Sequence, residues 1–228
     1  MRLPTMGHIW ALATWSTTLH QGAAVDEITQ AFCKRYLQHP PPKTYWRGRF
    51  AGKSPLDLWI YQEIIVEIRP EVIIECGTNQ GGSALFFADV CELLGKGHVY
   101  SVDVVPPPAL AHPRLTFLQG SSTDTAVVGR LRAMIGSRAP VMVSLDSLHH
   151  QTHVARELEL YSPLVTVGSY LVVEDTVING HPAKPEFGPG PFEALREFVH
   201  GTECFRTDLS REKFLYTQNP FGWLKRVK

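Results

Sequence analysis

Five short runs of apolar, largely β-branched residues recur through the middle of the chain, and that rhythm constrains the fold more than any other feature. They are VIIEC (72–76), VYSVDV (99–104), LTFLQG (115–120), VMVSL (141–145) and YLVV (170–173), with helical stretches between them. Strands that are apolar along their whole length are buried on both faces, and strands that alternate with helices form a parallel sheet. Cys204–Phe205 and Phe214–Tyr216 are expected to add a closing antiparallel pair. The expected architecture is a Rossmann-like α/β fold with a seven-stranded, mostly parallel sheet, an antiparallel C-terminal hairpin and N-terminal helices. Residues 70–228 are assigned to this domain and 1–69 to a helical extension packing on it.

Within the extension, Val25, Ile28, Phe32 and Tyr36 recur at helical spacing until Pro40, Pro41 and Pro42 break the pattern. A second helix is expected from a Ser54 cap and Pro55 at its first position, with Leu58, Tyr61, Ile65 and Ile68 apolar, stopping at Pro70. A chain of 228 residues can bury a core without disulfides. Its net charge is zero, so nothing directs it to nucleic acid or to an anionic membrane. The four cysteines, Cys33, Cys76, Cys91 and Cys204, show no zinc-binding spacing and read as structural thiols of a reducing cytoplasm. No run approaches the length of a membrane span. The apolar stretch after Arg2 faintly resembles a secretory leader, but His8, Trp10 and Trp15 interrupt it, and a packing helix or extended start is the better reading. The N-terminal helices offer a surface for homo-oligomer formation.

ECGTNQGGSALFFAD follows the first strand and opens a helix, the position where a glycine-rich turn can serve a nucleotide-like cofactor. Gly77, Gly81 and Gly82 permit close backbone approach, with Thr78 in the turn and Ser83 beginning the helix. The spacing is not that of a dinucleotide fingerprint, and Glu75 stands just before the loop. A pyrophosphate disfavours a carboxylate there, whereas a cofactor bearing an ammonium and a sulfonium tolerates it. Asp103, ending the next strand, is placed to accept ribose hydroxyls, and Ser121 and Ser122 of GSSTD lie near where an adenine would sit. These residues point to S-adenosylmethionine, with Asp146 counted among its contacts.

Asp146 ends the fourth strand and Glu174-Asp175 the fifth, so three carboxylates are expected to converge at one sheet edge. Left uncompensated they would repel and raise one another's pKa values, and a hard divalent cation, Mg²⁺, resolves that with oxygen ligands alone. A cation holding a hydroxyl oxygen lowers that hydroxyl's pKa, which gives the metal a chemical purpose. His149, His150 and His153 follow Asp146, and one of them could take the proton; His149 stays nearest the carboxyl edge. The alternative is that these acids are solvated caps and the histidines structural.

LDSLHHQTHVARELELYSPLVTVGSYLVVEDTVINGHP, together with ECGTNQGGSALFFAD and LQGSSTD, resembles the cephalosporin hydroxylase-like family, also called the rhamnosyl O-methyltransferase family, from about Trp46 onward. The resemblance implies a class I methyltransferase fold, S-adenosylmethionine and a Mg²⁺ site. Its metal acids fall on Asp146, Glu174 and Asp175, and its cofactor positions on Glu75, Gly77, Ser83, Asp103 and Ser122. Many relatives carry an acid where this chain has Leu148. The loop through VINGHPA and EFGPGPFEAL is expected to cover an acceptor, with Asn179 and His181 as contacts. The implied acceptor is a small hydroxylated molecule, a sugar or other natural product. Tyr45, Trp46 and Trp59 could stack on such a ring or belong to the core.

Three rival functions are weaker. An iron oxygenase normally needs HxD or HxE, and none of the ten histidines is followed at the second position by an acid. An NAD-dependent oxidoreductase would use Asp103 but not Glu75, and lacks both GxGxxG and a Tyr-x-x-x-Lys pair after the fourth strand. A non-catalytic binding module is the third, and it predicts that Asp146→Ala leaves function intact.

Overall fold

The structure, a computed structural model, describes residues 31, 32, 35, 36 and 42–228 apart from 107 and 215. Residues 42–228 form one compact unit. Residues 31, 32, 35 and 36 are helical; the rest of the expected first helix and the leader-like stretch lie outside the described residues.

The compact unit begins with a small hairpin, β1 (Tyr45–Trp46) and β2 (Arg49–Phe50), followed by α1 (Pro55–Ile68). Ser54 caps α1 by accepting a hydrogen bond from Leu56 N (3.2 Å), Pro55 opens the first turn, and Arg69 ends it in the left-handed region. This helix lies within residues 42–228, the unit that holds the sheet.

The large sheet is built from β3 (Val72–Cys76), β4 (His98–Asp103), β5 (Leu115–Gln119), β6 (Val141–Leu145), β7 (Tyr170–Val173), β8 (Phe205–Thr207) and β9 (Trp223–Arg226), in the order β5-β4-β3-β6-β7-β9-β8. The first five are parallel, β9 runs antiparallel to β7, and β8 pairs antiparallel with β9. One expectation needs correcting: the partner of Phe205 is not Phe214–Tyr216 but Trp223–Arg226. Asp57 holds the intervening chain in an irregular turn, accepting from Thr217 Oγ1 (2.6 Å) and Gln218 N (2.8 Å). Two apolar residues followed by two basic ones give β9 none of the alternation that marks a strand.

Side-chain alternation splits the core in two. Val72, Ile74 and Cys76 face α3 (Thr125–Ile135), α4 (Gln151–Tyr161) and α5 (Pro191–Gly201), whereas Ile73 faces α1 and α2 (Gly82–Leu93). Each fully buried Ile or Val contributes roughly 1.5–3 kcal/mol relative to exposure, and this double layer is what holds the strand ends in fixed register. Cys76 and Cys91 are buried free thiols and Cys204 is a half-buried one. Among the described residues, no helix is long and apolar enough to cross a membrane.

Because the chain leaves β3 toward β4 and β5 and returns on its other side as β6, the strand order reverses between β3 and β6. Crevices at such a reversal, outside the carboxyl ends of the strands, are where ligands bind in open α/β sheets.

Candidate active site

The glycine-rich loop and the fourth-strand acid meet at this reversal. A Cβ on Gly77 would stand 1.9 Å from Asp146 O, so only glycine lets the loop cross the end of β6. Gly81 caps α2 in the left-handed region, and Ser83 is buried in the first turn. Asp103 fixes the loop from the next strand: Thr78 N and Asn79 N both donate to its Oδ2, at 2.8 and 2.9 Å. Among the described residues its Oδ1 accepts only from Val105 N, at 3.1 Å, and keeps capacity for a hydroxyl.

Glu75 is fully buried at the end of β3, in register with Ser101 on one side and Ser144 on the other. Its Oε2 accepts from Ser101 Oγ (2.6 Å), which also meets Thr78 Oγ1 (2.6 Å), while its Oε1 has no partner among the described residues. Burial pushes its carboxyl up to about 7, against the pull of Lys53 and Ser101. An orphaned buried carboxylate oxygen beside a loop that excludes side chains is the arrangement expected where a cationic ligand supplies the missing partner.

Ser122 is buried, its Oγ 3.2 Å from His153 Nε2, and Ser147 Oγ lies 3.0 Å from the same nitrogen and donates to Glu157 (2.6 Å). His153 is therefore part of a polar network under the third-strand turn, while Ser121 Oγ turns to Thr123 (2.9 Å). His150 begins α4 and stacks on Phe187. Of the three histidines, His149 is the one against the acids. Its Nε2 lies 3.2 Å from Asp146 Oδ1 and 3.4 Å from Asp175 Oδ2, and the ligand atoms of Asp146, His149 and Asp175 all lie within 4.8 Å of one another. Burial alone would lower the imidazole pKa, but the surrounding carboxylates raise it to about 9. Leu148, by contrast, is half exposed.

The expectation of three uncompensated carboxylates does not hold. Lys53, just after the hairpin, is buried to 2% exposure, and its Nζ lies 2.7 Å from both Asp146 Oδ2 and Glu174 Oε1. Tyr61 OH and Ser144 Oγ (3.1 Å) also donate to Glu174 Oε1. Lys53 and His149 hold Asp146 down to about 2 despite its burial, whereas burial and the neighbouring acids push Asp175 up to about 6. Asp175 adopts φ 54°, and its backbone N donates to Asn219 Oδ1 (2.9 Å). Lys53, Tyr61, Ser144 and Asn219 were not identified from sequence. A lysine ahead of a helix cap reads as a surface residue, and no local pattern marks it otherwise.

The loop after β7 is tied down. Asn179 Nδ2 and His181 Nε2 both reach Glu193 Oε1 (3.0 Å each), Gly190 N donates to Glu193 Oε2 (2.7 Å), and His181 stacks on Phe192. The polar atoms expected to meet an acceptor thus anchor the loop to the start of α5. Trp46 packs edge-on against Phe86 and donates to Asp89 (2.7 Å), so it belongs to the fold, while Tyr45 and Trp59 are exposed.

A seven-stranded sheet with this strand order, a glycine loop after its first parallel strand and acids at the next strand ends define the class I methyltransferase fold. The chain belongs to the Rhamnosyl O-methyltransferase/CmcI family, whose pattern it matches over residues 40–227. It is 40% identical over 210 residues to the rhamnosyl O-methyltransferase of Mycobacterium tuberculosis, covering 88% of this chain and 86% of that one. The Mycobacterium leprae rhamnosyl O-methyltransferase is 40% identical over 190 residues, covering 78% and 82% of the two chains. Among solved structures, the Mg-SAM form of cmcI-D160 superposes with a TM-score of 0.64 at 22% identity, covering 86% of this chain and 84% of the other.

Proposed function

We propose that the chain is an S-adenosylmethionine-dependent, Mg²⁺-assisted O-methyltransferase of the cytoplasm, acting on a hydroxyl of a sugar, a rhamnosyl unit in particular. The observation that carries this reading is the contact between Gly77 and the Asp146 backbone, which sets the cofactor loop directly beside the acid cluster. The names of the curated relatives support the acceptor class.

Glu75 and the loop of Gly77, Thr78, Gly82 and Ser83 suit the methionine end of the cofactor, Asp103 the ribose, and Ser121 and Ser122 the adenine side. Asp146 and Asp175, with His149 beside them, would suit a cation; Glu174, whose Oε1 is taken by Lys53, Tyr61 and Ser144, would have only Oε2 left to offer it. When bound, these groups supply the methyl and a lowered hydroxyl pKa. Between Asp146 and Asp175 the imidazole of His149 is held toward its protonated form, and it would have to give up that proton, as it would if a cation took over those oxygens, before its Nε2 could act as base toward the hydroxyl.

The test is transfer of labelled methyl from S-adenosylmethionine to a rhamnosyl glycoside, with Mg²⁺ and with EDTA. Transfer should require Mg²⁺ and be lost in Asp175→Asn. An undiminished rate in EDTA would defeat the metal assignment. NAD reduction without methyl transfer would defeat the whole reading.

A further inference from the structure

Lys53 is given no role of its own in the reading above, yet its burial is unusual for a lysine. A lysine at 2% exposure is uncommon, and this one touches two acids assigned to the cation site. Its place is fixed from both sides of the chain. Phe50 and Ala51 press their backbone onto Gly82, and Ser54 caps α1 while its own N donates to Gln218 (2.6 Å). The segment carrying Lys53 therefore cannot retreat without undoing the hairpin dock or the helix start.

The charges around it are countable. Asp146, Glu174 and Asp175 bring three negative charges when ionised; the Lys53 ammonium offsets one of them, and a protonated His149 against Asp146 and Asp175 offsets a second. Buried like charges that lack a counter-ion cost several kcal/mol each, so the cluster needs either a metal or an internal cation to exist.

We propose that Lys53 is the positioning residue of the acid site: its ammonium binds one oxygen of Asp146 and one of Glu174, keeps the cluster assembled without metal, and tempers the site's attraction for the divalent cation so that the cation exchanges. The inference rests on the proposed metal reading for its second half only. The first half, assembly without metal, concerns the chain alone. A lysine that merely filled space would lack this signature: replacing it by methionine, which keeps the stem, would change neither the melting temperature in EDTA nor the affinity for the cation.

The experiment compares wild type, Lys53→Met and Lys53→Met/Glu174→Gln, the methionine keeping the apolar stem. Melting temperature is read in EDTA and in Mg²⁺, and Mn²⁺ binding to the folded protein is followed by electron paramagnetic resonance. In EDTA, Lys53→Met should melt below wild type and the double variant should recover most of that loss, since it removes one charge of each sign. Mg²⁺ should raise the melting temperature of Lys53→Met more than that of wild type, and Lys53→Met should bind Mn²⁺ at least tenfold more tightly. A double variant no more stable than the single one in EDTA overturns the assembly role, and weaker Mn²⁺ binding by Lys53→Met overturns the tempering role. Wild type that binds no Mn²⁺ at all would defeat the metal reading and with it the tempering role, while the melting comparison in EDTA still decides whether Lys53 assembles the acids.

Discussion

Gly82→Ala tests whether the hairpin and the site form one unit. A Cβ at this position would lie 2.4 Å from Phe50 O, 2.5 Å from Phe50 C and 2.7 Å from Ala51 N, where ordinary contact begins at 3.4 Å. All three are backbone atoms, so no rotamer change can relieve the overlap, and the chain at 50–51 must move by about 1 Å. Gly82 does not need the left-handed conformation, so the effect isolates the contact from backbone strain. Lys53 follows two residues later with both carboxylate contacts at 2.7 Å, and a shift of that size takes ammonium hydrogen bonds to the edge of their working range. Overpacking of this kind costs about 1–3 kcal/mol. For a unit of this size, 2 kcal/mol corresponds to a fall in melting temperature of roughly 4–8 °C. Thermal melting and calorimetric titration with S-adenosylhomocysteine check both consequences, and binding should weaken together with stability. A melting temperature within about 1 °C of wild type with unchanged binding would refute the claim that the hairpin backbone seats on α2.

The same substitution in α3 should act in the opposite direction. Gly129 is an exposed mid-helix glycine with nothing within 4 Å of the added carbon, so Gly129→Ala should raise stability by about 0.5–1 kcal/mol, read as a higher melting temperature. Glu212 offers a pH test. Burial pushes its carboxyl from 4.5 up to about 7 while it accepts from Phe221 N (2.7 Å). A carboxyl with a raised folded pKa favours the folded state below about pH 4.5, and that contribution is lost as pH rises through about 7. Glu212→Gln keeps the accepting oxygen without the charge, so it should melt above wild type at pH 8 and show no advantage at pH 4.

The parallel strands were legible because each is apolar over its full length, and β3, β6 and β7 begin and end at the residues expected. Such runs need no information from elsewhere in the chain. The closing strand was misplaced because what bends residues 213–222 is Asp57, a hundred and more residues earlier, and no window around Phe214 contains it. The glycine loop was readable for a related reason: its turn is local, and Glu75 and Asp103 sit at strand ends that the apolar pattern had already located. The loop after β7 is expected to cover an acceptor with Asn179 and His181 as contacts; that both side chains also reach Glu193 on the following helix is not visible in the loop's own residues.

The acid cluster shows where such reading stops. Strand ends place carboxylates correctly, since backbone register decides which residues come to the edge, but they say nothing of what faces those carboxylates from another layer. Here the facing layer is α1 and the segment before it, and it delivers one ammonium and one phenol to Glu174. Charge compensation is a property of the packed layers, and a sum over one sheet edge necessarily omits it. The consequence is structural: with Lys53 on Glu174 Oε1 and Asp146 Oδ2, it is Asp146 Oδ1 and Asp175 Oδ2 that face His149. The carboxylates that look equivalent in the sequence are thereby divided, Glu174 bonded to Lys53, Tyr61 and Ser144 and Asp175 set against His149.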